Sequence, residues 1–393
     1  MQSDRLSSLL SLGTALLLVA APLALPRDAL AADTIKIGVI NSTSGQFADL
    51  GVKINEGIQL YMKQHGDTVA GKRIELIMRD DTGPNPDVTK RLALELIARD
   101  KVDLLTGFVS TPGAIATIPV ATEARKPTII MQAATGGITE RSPYMARLSF
   151  TLGQVAGPMG EWAAKNGLPT VYTIVADYGP GYDGEAAFIK AYTANGGKVI
   201  GGVRTPLASN DYAVYLQRVL NEKPSAVFAF VPAGRSGIAF AKAFNDMGLT
   251  KAGIKLITTG DIVSENGLEA IGDSALGIIS AYHYSASHDS PENKALQKAY
   301  TEAYGPKARL DFLVMQAYDT MSVICNVAEQ LRGDMDPDKV MAALAGYKFV
   351  SARGPVVINA QTRTVDQTVY IRRVEKRDGL LQNIEFDKIE PAR

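Results

Sequence analysis

One cysteine in 393 residues leaves no partner for a disulfide within the chain. Cys325 lies in an apolar helical stretch, Phe312 to Leu331, with no histidine near it in sequence. It reads as a packing residue, because a catalytic thiol needs a base beside it. Histidine is almost as scarce. His283 and His288 sit in what reads as a loop, without the i, i+4 spacing of a helical zinc pair and without nearby glutamate ligands, so no metal site is expected. No Gly-x-Ser-x-Gly elbow occurs, and the glycine-rich run Gly179 to Gly184 has neither the Gly-Lys-Ser/Thr of a phosphate loop nor, at Pro180, the backbone N–H that a phosphate would need. An excess of either charge is missing too. Lys plus Arg number 41 and Asp plus Glu 41, which recommends neither nucleic acid nor an anionic membrane surface as a partner. These absences argue against a hydrolase, a metalloenzyme and a nucleotide enzyme, and no cofactor is expected.

The amino terminus is different in kind. Leu6 to Leu25 is apolar or small apart from scattered Ser and Thr, follows Arg5, and leads to Ala29-Leu30-Ala31. A charged start, an apolar run and a small-x-small site make a secretory signal peptide over residues 1–31, cleaved near Ala31. An uncleaved anchor is the competing reading, and Pro22 and Pro26 count against a stable membrane helix. The exported protein is expected in the periplasm, where a large core serves in place of disulfides.

From Thr34 onward short β-rich runs alternate with helical stretches, the pattern of βαβ units and parallel sheets, so the fold class is α/β. Ile35–Ile40, Arg73–Met78, Val102–Thr106 and Thr128–Met131 read as strands of one sheet. The rhythm restarts after Phe150, with strands at Val171–Ala176, Lys198–Thr205, Ala226–Val231 and Lys255–Thr258, and a helix is expected from Gly184. Two doubly wound parallel-sheet lobes then face each other, with a ligand cleft beyond the carboxyl ends of their strands. Pro291–Gly305, Asp311–Leu331 and Pro337–Ala345 are helices with no strands between them and must pack on a lobe already built. The expected division is residues 32–150 plus 282–346 for the first lobe and 151–281 plus 347–393 for the second. In the tail, Thr368–Val374 reads as a strand whose Arg and Lys face outward.

Several short pieces in fixed order carry a resemblance: Ile35-Lys36-Ile37-Gly38-Val39 leading to Ser44-Gly45 and Gly51, Asp80-Asp81, Gly107 to Thr111, Ala133-Ala134-Thr135, Arg147, Asp177-Tyr178-Gly179 with Gly181, and Gly260-Asp261. Together they resemble the branched-chain amino-acid-type periplasmic binding proteins, the leucine-binding-protein-like or type I solute-binding proteins of ABC importers, over the whole mature chain. The resemblance implies three crossings between the lobes, a monomer that delivers its solute to an ABC permease in the inner membrane, and no catalysis. A sensor of the same fold acting on a membrane receptor is the alternative, with a secreted α/β enzyme behind it.

Phe108 to Gly113 follows a buried strand and opens a helix. Its hydroxyls and N–H groups, at the positive end of the helix dipole, make a ready anion site. Thr111 either caps this helix, with Pro112 as first helical residue, or reaches a ligand. The resemblance implies that hydroxyls of this loop, at Ser110 and Thr111, take a carboxylate. It also implies that Ala133 and Thr135 supply a backbone group and a hydroxyl, that Tyr178 stacks on or hydrogen-bonds the ligand, and that Asp261 stands where relatives pair an acid with the ligand's ammonium. Asp261 could instead cap the short helix from Ser264. Leu50, Phe108 and Val231 are candidate walls, with Pro232 and Phe312, although any of them can be core. Arg147 reads as a hinge residue or a second carboxylate contact. The ligand class is a small carboxylate, an amino acid or an aromatic acid whose phenol would donate to Asp261.

Overall fold

The structure, a computed structural model, describes residues 34–391, and the expected signal peptide lies outside the described residues. The first sheet is built from β1 (Thr34–Asn41), α1 (Ala48–His65), β2 (Thr68–Val69), β3 (Lys72–Asp80), α2 (Pro86–Ala98), β4 (Leu104–Gly107), α3 (Thr111–Glu123), β5 (Thr128–Ile130) and β6 (Met145–Arg147). Its order is β2-β3-β1-β4-β5-β6, parallel except for the short edge strand β2. β1 and β4 are buried almost throughout, as central strands covered by helices on both faces must be.

The second sheet takes α4 (Leu152–Lys165), β7 (Thr170–Ala176), α5 (Gly179–Ala194), β8 (Lys198–Thr205), α6 (Ala213–Glu222), β9 (Ala226–Phe230), α7 (Arg235–Asp246), β10 (Lys255–Thr259), α8 (Glu265–Ile271) and β11 (Ile279–Tyr282). α5 begins five residues before the expected Gly184. Pro180 and Gly181, which look like breakers, are compatible with a first turn: Pro has no N–H to lose there. A side chain at Gly181 would lie 1.9 Å from the Ala176 carbonyl oxygen, so the turn from β7 into α5 requires a glycine.

After β11 come α9 (Pro291–Tyr304), α10 (Phe312–Gln330) and α11 (Pro337–Leu344), with no strand between them. α10 packs on α1, where Tyr318 stacks edge-on to Tyr61 and its hydroxyl donates to Gln64 at 2.8 Å. The tail divides in a way not expected. β12 (Lys348–Ser351), β13 (Gly354–Ile358) and β14 (Val365–Gln367) form their own antiparallel sheet. Only β15 (Val369–Arg377) and β16 (Leu380–Ile389) join the second sheet, whose order is β16-β15-β11-β10-β9-β7-β8. On β15 the outward-facing expectation fails at Arg372. It is fully buried and donates to Ser280 Oγ and the Tyr284 carbonyl, while its neighbour Arg373 is partly exposed.

Candidate functional site

The carboxyl ends of β4 and β5 make one wall of a cleft. Leaving β4, Gly107 and Phe108 both take positive φ, 104° and 65°. That sharp turn sends the Phe108 side chain back into the first lobe's core beside Ile40, Leu92 and Ile130, away from the cleft. α3 is capped by Ser110, whose hydroxyl accepts from the Gly113 N–H at 3.2 Å, so Thr111 is the first helical residue and not the cap. Thr111 is 3% exposed and borders the cleft. Its hydroxyl has no hydrogen-bond partner among the described residues. A buried, unsatisfied hydroxyl at a helix N-terminus is a donor waiting for an acceptor.

Beyond β5, Gln132 and Ala134 border the cleft and Ala133 does not. The Ala133 N–H is already given to the Phe108 carbonyl at 3.0 Å, and its methyl lies in the core. The Thr135 hydroxyl is buried without a partner among the described residues, while the Thr135 carbonyl accepts from the Arg147 guanidinium at 2.6 Å. Arg147 is fully buried, also donates to the Phe150 carbonyl, and burial pushes it down to about 10. Its hydrogen bonds therefore hold the Thr135 loop and the exit from β6.

The second lobe supplies the opposite wall. Tyr178 lies just before α5, its ring stacked with Phe230 at a centroid distance of 6.1 Å and 15° between planes. Phe230 ends β9 facing the cleft, so the pleat turns the next residue, Val231, into the core among Ile174, Leu216 and Phe240. Pro232 returns to the cleft, whereas Phe312 packs against Tyr282 within the core. Asp261, 4% exposed, follows β10 and accepts hydrogen bonds from Thr259 Oγ1 at 2.8 Å and Tyr282 Oη at 3.3 Å. Burial overrides both bonds and raises its carboxyl to about 6. The helix it was a candidate to cap, α8, starts instead after Ser264.

Leu50, Ser110, Thr111, Tyr178 and Asp261 thus share one cavity of about 30 Å³. The lobes are shut over it. The Gly136 N–H donates to Asp183 at 2.9 Å, Gln46 to the Leu207 carbonyl at 2.9 Å, and Arg235 lies 3.6 Å from Asp49. A side chain on Gly179 would meet the Thr135 hydroxyl at 2.5 Å, so the two walls touch backbone to side chain. Sequence reasoning missed Gln132, Phe47, Leu152 and Phe230. For Phe230 the signal was there: strand parity excludes its neighbour Val231 from the same face.

Chemically, the cleft offers donors at the α3 end, flat apolar walls, and an acceptor at Asp261. Cys325 is buried against Tyr61 and pushed up to about 11, far from thiolate chemistry at neutral pH. His283 is buried, His288 pairs with Glu385 at 3.0 Å, and among the described residues no group of three or more His, Cys, Asp or Glu could hold a metal.

Comparison with known proteins agrees with the two-sheet α/β fold. A family model described as "Periplasmic binding protein" matches residues 34–379. The "Leu/Ile/Val-binding protein homolog 6" of Brucella melitensis is 40% identical over 360 residues, 91% of this chain and 92% of that protein. Among solved structures, a solute-binding protein of an ABC transporter from Rhodopseudomonas palustris BisB5, in complex with 3,4-dihydroxybenzoic acid, is 46% identical with a TM-score of 0.89, covering 92% of this chain and 98% of that one. A second R. palustris solute-binding protein, in complex with 4-hydroxybenzoate, is 42% identical with a TM-score of 0.88 over 91% of this chain and 98% of its own.

Proposed function

Because the chain belongs to the periplasmic binding protein family, as a type I solute-binding protein of an ABC transporter, we propose that it captures a hydroxylated aromatic carboxylate and delivers it to the permease. It binds and releases this solute without changing it. The observation that carries the choice of ligand is the setting of Asp261. An acid that serves an ammonium should have room for a cation and several of its N–H donors. Asp261 is almost fully buried and already accepts from Thr259 and Tyr282, which leaves room for little more than one further donor. Such a group suits a phenol, which asks only for an acceptor. Tyr178 and Phe230 add flat faces for a ring, and the free hydroxyl of Thr111 at the α3 N-terminus suits the carboxylate. The solved relatives that hold hydroxybenzoates support the same reading.

Lobe one is residues 34–150 with α9 to α11, and lobe two is residues 151–282 with β15 and β16. Export removes residues 1–31, and the mature protein works as a periplasmic monomer. Calorimetry with 4-hydroxybenzoate, 3,4-dihydroxybenzoate, benzoate and leucine tests the ligand class. The hydroxybenzoates should bind most tightly. Heat from leucine with none from the hydroxybenzoates would overturn it.

A further inference from the structure

Gln132 stands beside the anion end of the cleft, yet neither the sequence nor the comparisons give it a role. It is 8% exposed and borders the cavity. Its side-chain oxygen is taken, because Gln316 of α10 donates its amide N–H to it. The Gln132 amide nitrogen makes no hydrogen bond among the described residues. An amide has its acceptor at one end and its donor at the other, so with the oxygen anchored behind, the NH₂ is the end left for the cleft.

The anchor is fixed in turn. Gln316 is fully buried, and its own side-chain oxygen is unpartnered among the described residues. It lies close enough to His283 to act on that ring's proton equilibrium. His283 is fully buried against Phe150, ring on ring at 4.5 Å. Burial, together with the Arg353 and Arg372 cations, keeps the imidazole neutral. The polarity then runs one way, from Gln316 nitrogen to Gln132 oxygen and from Gln132 nitrogen to the cleft.

We infer that Gln132 is a specificity-determining donor to an oxygen acceptor on the bound solute, and that Gln316, without touching the cleft, is the positioning residue that sets its direction. This rests on the proposed aromatic-acid reading and adds to it a requirement for ligand polarity: where Asp261 asks the solute for a donor, Gln132 asks it for an acceptor. That acceptor is either a carboxylate oxygen shared with Thr111 or an oxygen on the ring.

The experiment compares benzoate, 4-hydroxybenzoate and 4-hydroxy-3-methoxybenzoate by calorimetry on the wild type, Gln132→Leu and Gln316→Glu. Gln132→Leu should weaken binding about fivefold to tenfold. An equal loss for all three acids assigns the acceptor to the carboxylate, and a loss that disappears for benzoate assigns it to the ring. Gln316→Glu offers the Gln132 oxygen no donor while ionised, so Gln132 must turn its nitrogen inward and present oxygen to the cleft. Binding should then fall at least as far as in Gln132→Leu, although the substituted side chain reaches no ligand. A ligand-free melt within a few degrees of the wild type confirms that both variants fold. If both melt normally and every dissociation constant stays within twofold, the inference is overturned. If the wild type binds no aromatic acid but binds leucine, the proposed ligand class is what fails, and the same variants measured with leucine, whose carboxylate is also an acceptor, decide the polarity of Gln132.

Discussion

Arg353 and Asp319 lie 3.1 Å apart with both side chains sealed from solvent, and the arginine, in the turn between β12 and β13, also ties together two of the chain segments that pass between the sheets. Its guanidinium donates to the Leu148 and Ser149 carbonyls after β6 and to the Gln367 side chain at the end of β14. Gln367 completes the tie by donating to the Ser149 carbonyl at 2.9 Å.

Burial lowers Arg353 and raises Asp319 despite their attraction, so desolvation outweighs the pair's Coulomb energy at each partner. Removing one partner strands the other charge. Arg353→Met should cost about 3 to 5 kcal/mol in urea denaturation. Adding Asp319→Leu should restore part of that loss, and a double variant less stable than the single one would contradict this account.

Ser110 and Thr111 separate cap from ligand contact. Ser110→Ala removes the N-cap of α3 and should lower ligand-free stability by about 1 kcal/mol. Thr111→Ala removes a hydroxyl that bonds to nothing among the described residues. The ligand-free melt should therefore hardly change, while affinity for a carboxylate falls by roughly 1.5 to 3 kcal/mol. A lowered melt with unchanged affinity would show that the hydroxyl serves the fold.

Asp183 clasps the lips of the cleft by accepting from the Gly136 N–H across the lobes. Asp183→Ala leaves the walls of the cavity intact but favours the open form. The radius of gyration of the ligand-free protein in small-angle scattering should rise, and affinity should fall by up to about tenfold, the size of one lost charge-assisted bond. Unchanged scattering and affinity would mean that the clasp contributes nothing to closure.

The sequence made the βα rhythm legible because strands and helices differ in period and in their flanking residues. It made Thr111, Tyr178 and Asp261 legible because strand carboxyl ends in an open α/β sheet converge on one crevice. It left side-chain direction within those loops hidden. Phe108 turns inward because of a left-handed backbone that no residue type announces, and Ala133 because its N–H is spent on Phe108. β6 and β11, three and four residues long, are too short to show a period. Gln132 and Gln316 are 184 positions apart, and Arg353 reaches Leu148 across 205. Such partners appear only when the chain is folded.

Asp261 should set the stability of the ligand-free protein against its affinity. Its carboxyl ordinarily titrates near 3.8 and in the folded chain is raised to about 6. Between those values the native state holds a proton that the unfolded state has released, so stability must fall as pH rises through this window. Asp311, the buried N-cap of α10, is raised to about 7 and acts in the same direction. The ligand-free protein should therefore be more stable near pH 5 than near pH 7.5. Asp261→Asn removes an ionised group from a buried site and should stabilise the ligand-free protein at pH 7.5 by about 1 to 3 kcal/mol, with little effect at pH 4, where the wild-type group is already neutral. Affinity should move the other way. A phenol bonds more strongly to a carboxylate than to an amide, so Asn should weaken hydroxybenzoate binding by about 1 kcal/mol while leaving benzoate, which has no hydroxyl to give, nearly unchanged. Thermal melts at pH 4 and 7.5, with calorimetry on both acids, measure all four quantities. Equal losses for benzoate and 4-hydroxybenzoate would show that Asp261 does not meet the ring hydroxyl, and a variant less stable than the wild type at pH 7.5 would show that its bonds to Thr259 and Tyr282 outweigh the cost of its burial.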